Sequence, residues 1–252
     1  MKNVLKGLVV MGMATGMLFG QAAPAAAPSA DEIKDLQAIQ SKQIASPADA
    51  DARMAAVNQF VAKYPASSLR GYVLTLAGEA AQGKQDSAKA RFYYEQAIAA
   101  DPNSDYAMIM LGADIAQNTK ENAIDKAQQM ARATKLANDA MALIEKRVKN
   151  PQESQADFDA ANKSDMSRAH MTLGLVAMQE QKFEAAGDEF VLASESDPVN
   201  LLRAGMAYNN AKKVDAAEGA LNKFIAIPGL PDQYKKMAED EKKRGQLIKN
   251  GK

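Results

Sequence analysis

The 252-residue sequence predicts an all-α fold in which antiparallel helix pairs repeat along the chain and stack into a solenoid. Three observations predict it. Hydrophobic residues make up 47% of the chain but aromatic ones only 6%, and alanine-rich, charge-spaced stretches of this kind favour helix by intrinsic propensity. Gly78, Ala90, Tyr94, Ala97 and Pro102 recur as Gly174, Ala186, Phe190, Ala193 and Pro198, at the same intervals of 12, 4, 3 and 5 residues. Helix start and stop signals bracket the stretches, at Ser46-Pro47, Tyr64-Pro65, Asn150-Pro151 and Asp197-Pro198.

The N-terminus reads as an export signal. Lys2 and Lys6 precede an apolar stretch from Gly7 to Gly20, and QAAPAAA supplies small residues for cleavage. The stretch is shorter than the ~20 residues a spanning helix needs, which favours a cleaved leader over a retained anchor. Cleavage after Ala22 puts Ala23 downstream, whereas cuts after Ala23 or Ala27 would meet Pro24 or Pro28. Residues 1–22 are thus the signal peptide and 23–30 an Ala/Pro linker. The expected destination is the periplasm of a bacterium, with the medium second, and the absence of cysteine suits an exported protein that relies on packing. Loss of Lys2 and Lys6 leaves 29 basic against 31 acidic residues, a net charge of −2.

The repeat domain is expected over residues 31–227. Ser29 with Glu32 forms a capping box, and Ile33, Leu36, Ile39 and Ile44 then share a broad helical face. Ser46-Pro47 opens a second helix that turns Met54, Val57, Phe60 and Val61 to one side. Paired units follow near 46–70, 71–104, 105–150, 167–200 and 198–228. Gly112 repeats the glycine of the series, and Gly205, Ala217 and Leu221 begin a further copy that degrades at Phe224. Within a pair, small residues permit close approach, so Gly174 is expected to face Ala186, with Phe190 filling the space against the next helix.

The period breaks after residue 118, because the unit begun at Asp105 is followed by the next only 62 residues later, at Ser167. The surplus is helix-forming over 119–149. Ala123, Met130, Ala137 and Ile144 recur every seven residues, interleaved with Ala127, Thr134, Met141 and Val148, a coiled-coil-like seam. It is either an elongated second helix packed within the stack or a protruding arm that makes a dimer contact. Residues 151–165 are polar, a loop or a helical extension. Residues 228–252 form a charged helix with Glu239–Lys243 and Asp240–Arg244 four apart and a narrow apolar edge at Tyr234 and Met237, suited to capping the last exposed face.

Leu173, Gly174, Ala186, Phe190, Ala193 and Pro198, within residues 167–200, resemble the tetratricopeptide repeat, a helix–turn–helix unit of 34 residues. The chain departs from the family at His170, where tryptophan is common, and at Ala177, where tyrosine is. The resemblance spans roughly residues 46–227. It implies a right-handed superhelical solenoid whose packing residues are Gly78, Ala90, Tyr94, Pro102, Gly112, Gly174, Ala186, Phe190, Pro198, Gly205 and Ala217. It also implies that the first helix of each pair lines a concave groove, with Tyr72, Thr75, Glu79, Tyr106, Ile109, Arg168, Met171, Leu175, Met178, Leu202, Met206 and Asn209 toward it. Methionines and aliphatics there suit a peptide or an amphipathic helix. The basic-plus-asparagine clamp by which some relatives hold a C-terminal carboxylate is not evident, so chaperone-tail docking is disfavoured.

Catalysis finds little support. The chain has no cysteine and one histidine, which removes disulfides, thiol chemistry and multi-His metal sites within one chain. No phosphate-binding, nucleophile-elbow or zincin motif occurs. His170 is expected to be a structural plug in its helix pair. Asp157, Asp159 and Asp165 faintly suggest a calcium loop, yet Asn162 and Arg168 stand where glycine and glutamate belong. Glu184, Asp188 and Glu189 read as a solvated outer face. Thirty-one basic residues balance thirty-one acidic ones, so nothing draws in nucleic acid. The expectation is a protein-binding scaffold with no cofactor, no metal and no transmembrane anchor after cleavage. A homo-oligomer built on residues 119–149 is the alternative, and a carboxylate enzyme stands last.

Overall fold

A computed structural model describes residues 27–251, which form eleven α-helices and no strand. The export signal and most of the Ala/Pro linker lie outside the described residues. The chain divides into two compact units, Met1–Ala107 with Lys146–Asp159, and Met108–Glu145 with Ala160–Lys252.

In the first unit, α1 (Ala30–Gln40) starts as its sequence demands: Ser29 accepts from the Glu32 N–H at 3.3 Å, and Glu32 accepts from the Ser29 N–H at 2.6 Å. Leu36 and Ile39 are buried, but Ile44 lies beyond the C-cap at Ser41 and is exposed, so the expected face is one residue shorter. Helix α2 (Pro47–Lys63) begins behind Ser46, whose hydroxyl accepts from the Asp49 N–H, and buries Met54, Val57 and Phe60. Helices α3 (Arg70–Gly83) and α4 (Ser87–Ala100) form a close pair. Tyr94 explains the closeness: a Cβ on Gly78 would stand 2.4 Å from its ring, and its hydroxyl bonds Gln82 at 3.1 Å. Helix α3 is buried nearly all round, as a helix flanked on both sides must be.

Helix α5 (Asp105–Asn118) runs into the second unit, where it is followed by α6 (Lys126–Glu145). The expected continuous helix over 119–149 is corrected here. Residues 119–125 and 146–154 are turns, and α6 is the second helix of the pair begun at Asp105. Its heptad positions Met130, Ala137 and Ile144 are buried, but their partners are Ala133 and Ala140 rather than Ala127, Thr134, Met141 and Val148. Spacings of three and four along Met130, Ala133, Ala137, Ala140 and Ile144 make a narrow seam that the unit itself consumes. A Cβ on Gly112 would lie 3.3 Å from the Ala133 carbonyl and 3.2 Å from Thr172, which shows α5 wedged between α6 and α7. The elongated helix is instead α7 (Gln155–Gln179), at 25 residues, whose first turns are the polar stretch after Pro151.

Helices α8 (Phe183–Ala193), α9 (Val199–Asn210) and α10 (Val214–Ile225) complete two more pairs. The contact of Gly174 is corrected in detail: the Phe190 ring, not Ala186, meets it, 2.7 Å from where a Cβ would stand. Gly205 meets Leu221 in the same way, at 2.5 Å, and Gly187 meets Tyr208 of the following helix. Glycine on one helix thus receives a large side chain from another, and this recurrent fit sets the spacing of the sequence. The turns α3–α4, α7–α8 and α9–α10 share one geometry, with Gln85, Gln181 and Lys212 left-handed at φ of 59–60°. Each is followed by an N–H that closes on the first helix: Asp86 to Ala81, Lys182 to Ala177, and Lys213 to Tyr208, at 2.8–3.0 Å.

Helix α11 (Asp232–Lys249) lies against α10 and α9. Its apolar edge is Tyr234, edge-on to Phe224, and Ala238; Met237 points out, half-exposed, against expectation. Its ion pairs run at three residues, not four: Glu239–Lys242, Asp240–Lys243 and Glu241–Arg244.

Candidate partner-binding surface

The first helix of a pair must bury one stripe against its partner, which leaves another stripe to face outward or to meet the next pair. On α3 the expected outward residues diverge. Tyr72 is exposed and its hydroxyl accepts from Gln40 of α1 at 2.9 Å, and Glu79 is half-buried. Thr75 is buried, donating to the Gly71 carbonyl at 3.0 Å, and cannot line an open groove. On α5, Tyr106 is half-buried while Ile109 is wholly buried, because that helix is enclosed at residues 107–109 and 111–116.

Helix α7 presents the most coherent stripe. Met171, Leu175 and Met178 lie half-buried along it, packed at their bases on Phe190, Tyr208 and the alanines around them. Arg168 continues the stripe and pairs with Asp165 at 2.9 Å. On α9, Met206 is 43% exposed, but Leu202 and Asn209 are buried. Leu202 packs with Leu221, Phe224 and Ala238, and Asn209 donates to the Glu241 backbone oxygen at 3.0 Å and to its carboxylate at 2.8 Å. Helix α11 accounts for both. Thr75, Ile109, Leu202 and Asn209 are therefore internal, and the accessible apolar residues are Met171, Leu175, Met178 and Met206.

Of the acidic residues of α8, Glu184 and Asp188 are exposed, as a solvated face requires, and Glu189 is half-buried, yet all three are paired. Glu189 meets the Nδ1 of His170 at 2.8 Å, Asp188 accepts from the Tyr208 hydroxyl at 2.7 Å, and Glu184 pairs with Lys213 at 2.8 Å. Each joins α8 to a neighbouring element. Burial, and then the bond to Asp188, pushes the Tyr208 phenol above its ordinary value, so it stays protonated and donating. His170 is a partner of Glu189, not only a plug. The signal for this network was the polar residue at the tryptophan position, which needs a polar mate when it is largely enclosed.

Elsewhere, a cleft of about 330 Å³ between α1 and α2 has Ile39 and Phe60 at its base. The Lys63–Asp35 pair, 2.8 Å apart, lies at its rim. Among the described residues, no three His, Asp or Glu side chains converge as metal ligands would, and no helix is long and apolar enough to cross a membrane.

Residues 72–104 match the tetratricopeptide repeat family. That segment is α3, its left-handed turn and α4, with Gly78 seated on Tyr94. In fold, the chain is similar to TTC0263, a thermophilic TPR protein of Thermus thermophilus. The TM-score is 0.56 at 13% identity, over 83% of this chain and 98% of that one. A chain of the assembly chaperone of RpL4 (Acl4, residues 1–338) aligns at a TM-score of 0.42 and 11% identity, over 87% of this chain and 98% of that one. No curated protein matches. The described residues thus form an all-helical repeat fold of the tetratricopeptide kind, and the family match covers one of its helix pairs.

Proposed function

We propose that this chain is a non-catalytic scaffold or adaptor of the bacterial cell envelope that binds a peptide or helix of a partner protein. Export follows from the leader over residues 1–22, and the periplasm is its destination. The observation that carries the binding proposal is the partly buried stripe Met171, Leu175 and Met178 on α7, with Arg168 at its head. Methionine is adaptable and polarisable, so such a stripe takes the apolar face of an amphipathic helix without demanding one shape. The tetratricopeptide match and the repeat fold support the reading, since stacked repeats present extended binding surfaces.

A photo-crosslinking residue in place of Leu175 stands within the stripe and leaves Met178 free to vary. Crosslinking in intact cells, followed by mass spectrometry, should capture a discrete envelope protein, and Met178→Asp should cut the yield at least tenfold with the circular dichroism unchanged. Undiminished capture by Met178→Asp would remove the site. A fusion of residues 1–30 to a phosphatase that is active only outside the cytoplasm tests export separately. The homo-oligomer alternative would have to use another face of α6, because the seam Met130, Ala133, Ala137, Ala140 and Ile144 is buried, and light scattering at high micromolar concentration tests it.

A further inference from the structure

We infer that α11 acts as an intramolecular ligand, reversibly occupying the face of α9 and α10 that a partner helix would otherwise take. The inference rests on the proposed partner-binding role, and it adds a regulatory contact to it. A fixed cap would be sealed by apolar burial. Helix α10 is sealed so: of its twelve residues, Val214, Ala217, Ala220, Leu221 and Phe224 are buried. Helix α11 is longer, at eighteen residues, yet buries only Ala238 and Gly245. Met237 and Leu247 stay about half-exposed.

Its apolar contact is confined to Tyr234 and Ala238, against Leu202, Leu221 and Phe224, and polar contacts hold the rest of the helix. Asn209 donates twice to Glu241. Arg244 donates to the Met206 carbonyl at 3.2 Å and to Asn210 at 2.9 Å. Lys249 pairs with Asp215 at 2.8 Å. The Arg244 and Lys249 contacts are exposed and exchange readily with water, so their net contribution is small, and only the Asn209–Glu241 bonds are enclosed.

The docking also leaves a defect. Asn209 is 1% exposed, and its Oδ1 accepts no hydrogen bond. A Cβ at residue 245 would stand 2.7 Å from that oxygen, so only glycine lets α11 approach, and glycine brings no side-chain donor. A buried acceptor left empty opposes the closed state. The chemistry of a competing helix follows. It carries a small residue over Asn209, a carboxylate for its Nδ2 and a donor for its Oδ1, and that last group is what α11 lacks.

The test uses the full chain. In hydrogen–deuterium exchange, the backbone amides of α11 should exchange at least fivefold faster than those of α10, as a locally opening element does; a smaller ratio overturns the inference. A fluorescent peptide of residues 232–249 should bind the Gly245→Leu chain at least tenfold more tightly than the unmodified chain, because leucine displaces the built-in helix. Equal affinity for both, or binding to neither, overturns it. If Gly245→Leu does not fold, the exchange measurement on the unmodified chain still decides. Neither readout requires a natural partner, so failure to capture one in cells would count against the scaffold reading alone.

Discussion

Replacing Gly174 by alanine places a methyl group 2.7 Å from two carbons of the Phe190 ring and 3.1 Å from a third. Carbon atoms pack at about 3.5–4.0 Å, so the ring must retreat by about 1 Å. It is 2% exposed, in a cluster with Ala177, Ala186, Ala204 and Ala207, whose methyl groups have no rotamer to change. Overpacking of this kind costs about 1–3 kcal/mol. Alanine recovers about 1 kcal/mol of helix propensity. The expected net effect is a destabilisation of about 1 kcal/mol, or about 2–4 °C in Tm for a chain of this size. Gly219 in α10 is the control, since nothing lies within 4 Å of its Cβ position. There the propensity acts alone, and Gly219→Ala should stabilise by about 0.5–1 kcal/mol. Urea denaturation followed by helical circular dichroism measures both, with equal m-values required for the comparison. If Gly174→Ala stabilises as much as Gly219→Ala, the ring is free to move and the glycine is not a packing residue.

Three further outcomes are expected. Gln85, Gln181 and Lys212 occupy the left-handed region without being glycine, so each substitution by glycine should stabilise by about 0.5–1 kcal/mol in thermal melts. Asp86 caps α4 by accepting from the Lys89 N–H at 3.1 Å, and Asp86→Ala should lower Tm by about 2–4 °C in the same assay. Four carboxyls are held below the usual range: Glu32 by the Ser67 hydroxyl and then the Ser29 N–H, Asp35 by Lys63 and then Tyr64, Asp49 by the Ser46 hydroxyl and then the Ala45 N–H, and Asp86 by the Lys89 N–H and then its ammonium. A depressed folded value gives stability that is complete above the unfolded value of about 4 and is lost as pH falls through the folded one. Tm should therefore hold between pH 7 and 5 and fall below about pH 4, and the fall should shrink in the Asp49→Asn, Asp86→Asn double variant.

Helix existence and pairing were legible from residues near one another in the chain. Caps such as Ser29 and Ser46 act over three residues, and the Gly78–Tyr94 and Gly174–Phe190 contacts close within one hairpin, so a fixed interval records them directly. Residues 119–149 were harder. Their composition favours helix throughout, and only docking against α5 selected Met130, Ala133, Ala137, Ala140 and Ile144 as the buried line and left 119–125 as a turn. The candidate surface depended on packing still more. Thr75, Ile109, Leu202 and Asn209 carry the same helical spacing as Tyr72, Met171, Met178 and Met206, yet they are enclosed. Spacing states which residues share a face of a helix. Whether another helix lies over that face is settled by contacts between distant segments, as where α11 covers Asn209, and no local pattern encodes those.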